Sequence, residues 1–253
     1  MEFPVDSASL VGFCMVLVRA GAWVSICPPF NTPSIPVRVR TGFAVALSFL
    51  LAARVGQHVT DLSLVGLIGA LITQLLAGFA LGLIVLMIFS ALQSAGEMID
   101  LQVGFSLGGI IDPFSGNMAT PIGRLHQVLG VAILFAIDGH VMVVRGFIRS
   151  VDAAPLGQMN GEALVRQLIE LFGIHLSAAI EIALPVLTAL FCAEVALGFL
   201  GKAAPQLNIL IIGFAVKTIV AITLLTATIV LLPDTVSSLL GRSLRAASGI
   251  FTG

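Results

Sequence analysis

GFSLGGIIDPFSGNMATP runs from Gly104 to Pro121, between two long apolar runs of a chain that is 58% hydrophobic. Gly104, Gly108, Gly109 and Gly116 loosen this stretch, and Pro113 and Pro121 interrupt any helix through it. Phe105, Leu107, Ile110, Ile111, Phe114 and Met118 are apolar, and Asp112 adds a charge. Irregular backbone at membrane depth persists only where protein buries it or water reaches it. The stretch is therefore either a solvated surface loop or the lining of a passage. A solvated loop has little use for so many apolar groups. A stopper does, because apolar side chains dewet and close a constriction, and glycines let it move aside.

The membrane premise comes from composition. Mean hydropathy is +1.12 over the 253 residues. Charged residues are 10%, against about 25% in soluble domains. A formal charge of −1 gives no basic face for nucleic acid. The 26 glycines suit close helix contacts in lipid. Cys14, Cys27 and Cys192 form no CxxC pair and no metal spacing, so they read as small buried hydrophobes. The first charges, Glu2 and Asp6, are unlike the basic start of a signal peptide, so the N-terminal run is expected to be retained. There are 16 Phe, one Trp and no Tyr. Helices bathed in lipid usually anchor through Trp and Tyr, so much of this surface is expected to meet protein.

Six apolar runs follow: Ser9–Ile26, Gly42–Ala53, Leu62–Leu92, Leu125–Val144, Leu171–Leu200 and Leu207–Leu232. A spanning helix needs roughly 20 apolar residues, so six spans are expected, with the third and fifth long enough to tilt or break. The fold class is an all-α integral membrane-type protein built of helical hairpins. Pro28, Pro29, Pro33 and Pro36 forbid a helix in the first connection, PPFNTPSIPVRVR. APQLN, Ala204 to Asn208, is a tight turn that makes the last two runs an antiparallel hairpin. Counting basic residues does not fix orientation. With the N-terminus outside, Arg38, Arg40, Arg124 and Lys202 lie inside, but Arg54, Arg145, Arg149, Arg166, Arg242 and Arg245 lie outside. Either the helix count is wrong or the hairpins are not ordinary spans.

Ionisable groups inside apolar runs need a partner or a role. Arg19, Asp138, His140, Glu181, Glu194 and Lys217 are such groups, and they are candidates for a polar network. Glu194 precedes Pro205 by 11 residues and Lys217 follows it by 12. At 1.5 Å per residue both lie roughly 17 Å from the turn, so an antiparallel hairpin pairs them. Pro185 conflicts with the carbonyl of Glu181 and is expected to kink its helix. An acid at a kink suits a proton or cation site or a contact with a neighbouring subunit. There is no GxxxxGK[ST] and no HExxH, and GFSLG (Gly104–Gly108), which matches GxSxG by letters, lacks the flanking strand and helix pattern of a nucleophile elbow. Asp138 and His140 are i and i+2, which on one helix point to different faces. No catalytic, cofactor or metal site is expected.

Taken in order, Arg19 with PPF, IPVRVR (Ile35–Arg40), GEMIDLQVGFS (Gly96–Ser106), DPFSG (Asp112–Gly116), DGH (Asp138–His140), PLG (Pro155–Gly157), APQLN and GFAVK (Gly213–Lys217) resemble the FliR/SctT family of type III secretion export-gate proteins. The resemblance covers nearly the whole chain, and general similarity points to the flagellar members. It implies a non-enzymatic gate subunit, present as a single copy that closes a helical assembly of FliP and FliQ homologues. FlhB and FlhA homologues, membrane lipid and exported unfolded flagellar proteins are the further implied partners. The implied location is the bacterial inner membrane, in the flagellar basal body. Residues 1–170 are implied to be a FliP-like helical part and 171–253 a FliQ-like hairpin with a C-terminal tail. The stretch 104–121 is implied to be a plug, with Phe105, Leu107, Ile110, Ile111, Asp112, Pro113, Phe114 and Met118 as gate residues. This chain departs from the family at Leu107 and Ile110, often aromatic there, and at Asp138, where an Asn is usual before Gly-His. The alternatives are a small secondary transporter using Glu181 or Glu194, and a membrane scaffold without a pore.

Overall fold

In the computed structural model the described residues are 7–28, 30–32, 35–59, 63–106, 120–156 and 161–251. All regular structure among them is helical. The helices are α1 (Ser7–Ile26), α2 (Val37–Gly56), α3 (Leu64–Val103), α4 (Pro121–Ala136), α5 (Gly139–Ala153), α6 (Gly161–Ala203), α7 (Ile209–Ile229) and α8 (Leu232–Phe251). The chain is an all-α membrane protein. Helices α1, α2, α3, α6 and α7 are each long and apolar enough to cross a bilayer. A sixth span arises only if α4 and α5 are counted as one broken element.

Two lengths explain why the basic-residue count fails. Helix α3 has 40 residues and α6 has 43. At 1.5 Å per residue each runs for about 60 Å, twice the roughly 30 Å of a hydrocarbon core. Loops at such ends need not lie at a membrane surface. The run Leu125–Val144 is not the single helix expected. Asp138 takes φ 56°, the left-handed region, and breaks it between α4 and α5. Asp tolerates that region better than most residues, because its short side chain bonds locally.

Two compact units result, each assembled from separated stretches. The first takes in residues up to Ile88, Asp138–Gly173 and Leu240 onward. Trp23 stacks on Phe147 with ring centroids 4.7 Å apart and meets Phe30 at 5.2 Å. Helices α1 and α2 meet through glycine. A Cβ on Gly12 would strike the Ala52 carbonyl and lie 2.6 Å from the Gly56 nitrogen. The proline-rich connection is held by Arg40, whose Nε donates to the Ile35 carbonyl at 3.1 Å and whose Nη1 donates to Asn31 Oδ1 at 3.0 Å. Its Nη2 donates to the Thr32 carbonyl.

The second unit takes in Phe89–Ile137 and Ile174–Leu239. Its core joins Ala95, Ile99 and Val103 of α3, Ile122 of α4, Val186 and Leu190 of α6, and Leu225 of α7. The APQLN turn forms a tight connection, with the Leu207 amide donating to the Ala204 carbonyl at 3.1 Å. Asn208 caps α7 by accepting from the Ile211 amide at 3.4 Å. Residues 170 and 171, the expected boundary, both lie within α6.

Gly12→Ala should destabilise the protein by about 1–3 kcal/mol, because only backbone stands where the methyl would go. Gly21→Ala is the control. Nothing lies within 4 Å of its Cβ, so thermal unfolding in detergent should be unchanged or slightly raised.

Candidate functional site

Of the expected gate residues, Leu107, Ile110, Ile111, Asp112, Pro113, Phe114 and Met118 lie outside the described residues, and Phe105 lies within them. The site that can be built is the pair of chain ends flanking 107–119, and both belong to the second unit.

The leaving end is the last turn of α3. Gly104, at φ 104°, ends the helix in a conformation that a side chain resists. The amides of Gly104 and Phe105 both donate to the Asp100 carbonyl at 3.0 Å. The Phe105 ring then meets the Phe214 ring of α7 edge-on, with centroids 5.7 Å apart. Lys217, also on α7, donates from Nζ to the Gln102 carbonyl at 3.3 Å. This supplies a cation where the helix dipole favours one. Lys217 Nζ lies 3.2 Å from Glu194 Oε1, so the expected pair of the hairpin is present. Gln102 Nε2 donates to Glu194 Oε2 at 2.8 Å, which ties α3, α6 and α7 together.

The returning end is the first turn of α4. Pro121 stands at its first position and has no N–H to satisfy. The Ile122 amide donates to Asp100 Oδ1 and Oδ2 at 3.1 and 3.0 Å. The Gly123 amide donates to Oδ2 at 2.9 Å. The Arg124 amide donates to the Thr120 carbonyl at 2.9 Å. Every amide of that turn therefore has a partner. Asp100 is fully buried, as is His126 one turn on. His126 Nδ1 lies 3.0 Å from the Ile122 carbonyl. A carbonyl can only accept, so that nitrogen carries the proton. The backbones of α3 and α4 touch here: a Cβ on Gly96 would lie 2.6 Å from the Gly123 Cα.

The other ionisable residues singled out above lie elsewhere. Arg19 sits in the first unit, fully buried, and donates to Gln74 Oε1 at 2.6 Å, the Ser150 carbonyl at 2.8 Å and the Ala154 carbonyl at 2.5 Å. Those carbonyls close the C-terminal end of α5, whose dipole stands in for a carboxylate. Asp138 is exposed and stands at the N-cap position of α5, while His140 is half-buried. The two therefore flank a helix start and do not share a helix face. Glu181 is exposed on α6, which continues through Pro185. Among the described residues no three His, Cys, Asp or Glu converge as a metal set. Asp100, Gln102, Gln74 and His126 were not singled out from the sequence. An acid in a helix's last turn opposes the dipole, but the third apolar run ends at Leu92, so that turn was not legible and nothing in the sequence marked Asp100.

Residues 10–243 match the family described as bacterial export proteins, family 1. Flagellar biosynthetic protein FliR of Pectobacterium carotovorum subsp. carotovorum is 31% identical over 226 residues, covering 87% of this chain and 85% of that protein. FliR of Escherichia coli (strain K12) is 29% identical over 213 residues, covering 83% and 81%. Yop proteins translocation protein T of Yersinia pestis is 26% identical over 226 residues, covering 85% of each.

Arg19→Lys tests the buried fork. An ammonium keeps the charge but lacks the planar donors that reach three acceptors at once. A loss of about 1–3 kcal/mol is expected, read as a lower thermal midpoint in detergent.

Proposed function

Since the chain belongs to the bacterial export proteins, family 1, we propose that it is a gating subunit of a type III protein export channel in a bacterial inner membrane. The observation that carries this reading is the match over residues 10–243, joined by relatives named FliR and Yop proteins translocation protein T. We favour flagellar export because the FliR relative from Pectobacterium, at 31% identity, stands above the Yersinia protein at 26%. The cargo is then unfolded flagellar protein, and the location is the flagellar basal body.

In this reading 104–121 is the plug. Phe105, Leu107, Ile110, Ile111, Phe114 and Met118 are its sealing groups, and Asp112 and Pro113 shape it. Residues 1–170 form the FliP-like part, and 171–253 form the FliQ-like hairpin and tail. Homologues of FliP and FliQ surround a single copy, and homologues of FlhB and FlhA complete the gate. The single copy has a physical rationale. A heterologous interface repeats into an open helix unless something stops it. A subunit that joins two kinds of protomer presents different faces on its two sides and ends the spiral. A gate that assembled with unchanged composition in its absence would refute this role. The transporter alternative draws less support, because Glu194 is held by Lys217 and Gln102 and Glu181 is exposed.

Deleting Leu107 to Ile111 should leave the assembled gate leaking ions, read as a fall in membrane potential in cells carrying the whole apparatus. An unchanged potential removes the plug reading. Loss of solute uptake without leakage favours the transporter.

A further inference from the structure

Asp100 acts at both ends of 107–119. Its main-chain oxygen accepts the amides of Gly104 and Phe105, which end α3. Its carboxylate accepts the amides of Ile122 and Gly123, which begin α4. A helix ordinarily caps itself through the residue just before it, and Thr120 has the right side chain for that. Yet Thr120 makes no side-chain cap, and a residue of another helix does the capping. The placement is unfavourable on Asp100's own account. It is buried, and it sits at the negative end of the α3 dipole. What offsets this is the positive end of α4, with two amides aimed at one carboxylate. The close approach needs glycine on both sides, and Gly96 and Gly123 supply it.

We infer that Asp100 is a positioning residue that fastens the end of α3 to the start of α4, and so fixes the base from which 107–119 departs. The consequence for leakage rests on the gating reading above, but the fastening itself does not. A cap alone serves one helix and is replaceable by a local cap. A fastening joins two helices and is not.

The experiment uses the full chain in its assembled complex. Asp100→Asn keeps the shape but presents one acceptor and an NH2 group where two amides arrive. Hydrogen exchange at Ile122 and Gly123 should speed up about tenfold or more, and the gate should leak. Adding Thr120→Asp supplies a local cap. Exchange at the two amides should then slow again while the leak persists. Gly96→Ala, which parts the same backbones and leaves the carboxylate in place, should leak as well. The inference is overturned if Asp100→Asn leaves exchange unchanged, if Thr120→Asp cures the leak or restores a failed assembly, or if Gly96→Ala stays tight. It is also overturned if Asp100→Asn stays tight while the Leu107–Ile111 deletion leaks. If that deletion does not leak, the gating reading fails, and exchange in Asp100→Asn alone decides the fastening.

Discussion

A main-chain N–H or C=O left without a partner away from water costs about 1–3 kcal/mol, and the junctions of this chain are organised around that cost. The apolar helices satisfy their own interiors, so the cost falls on helix ends. Arg19 takes the last carbonyls of α5, Lys217 takes one at the end of α3, and Asp100 takes the first amides of α4. Arg40 does the same for a connection in which prolines forbid helix, and Asn208 for the start of α7. Ionisable residues in apolar runs invite a reading as an ion pathway. Here their partners are mostly main-chain groups, which points to joints between elements.

The joints are not equal. The Lys217–Glu194 pair has a Glu side chain that is 53% exposed. Exposed pairs contribute about 0–1 kcal/mol, and salt weakens them further. The Lys217 contact with the Gln102 carbonyl and the Phe105–Phe214 contact add to it, each modestly. Asp100 is a buried, charge-assisted acceptor of two amides, where each such bond is worth about 1.5–3 kcal/mol. The returning end of 107–119 is therefore held more firmly than the leaving end, although Asp100 also closes the leaving end through its carbonyl. The leaving end depends on groups carried by α6 and α7, and a change in how that hairpin is held would reach this end first.

Hydropathy alone located the long helices, and the APQLN turn with its flanking charges placed Glu194 opposite Lys217. Those readings work because a helix rises evenly and a tight turn leaves one register. The break at Asp138 was not legible: apolar residues lie on both sides, and DGH fits inside a helical run until one backbone angle changes sign. The helical ends of α3 and α6 were cut short because hydropathy falls off there while the helix continues. Asp100 was hidden for a related reason. Its partners are more than twenty residues onward and are main-chain amides, which no side-chain pattern advertises.

The remaining surface bears on what surrounds the chain. Helix α6 exposes Phe172, Leu176, Ile180, Leu184, Phe191 and Phe199. Lipid would cover such a face, but lipid does not reach along the whole length of an element about 60 Å long. Membrane proteins usually mark their two water boundaries with Trp and Tyr. This chain has no Tyr, and its one Trp is fully buried in a stack with Phe147. From Phe172 to Phe199 that face runs for about 40 Å, longer than the roughly 30 Å hydrocarbon core, and without boundary markers it is better matched by other helices than by lipid alone. That is the surface expected of a subunit enclosed by neighbours, and it gives a physical reason why basic-residue counting failed on a chain whose hydropathy is otherwise plain.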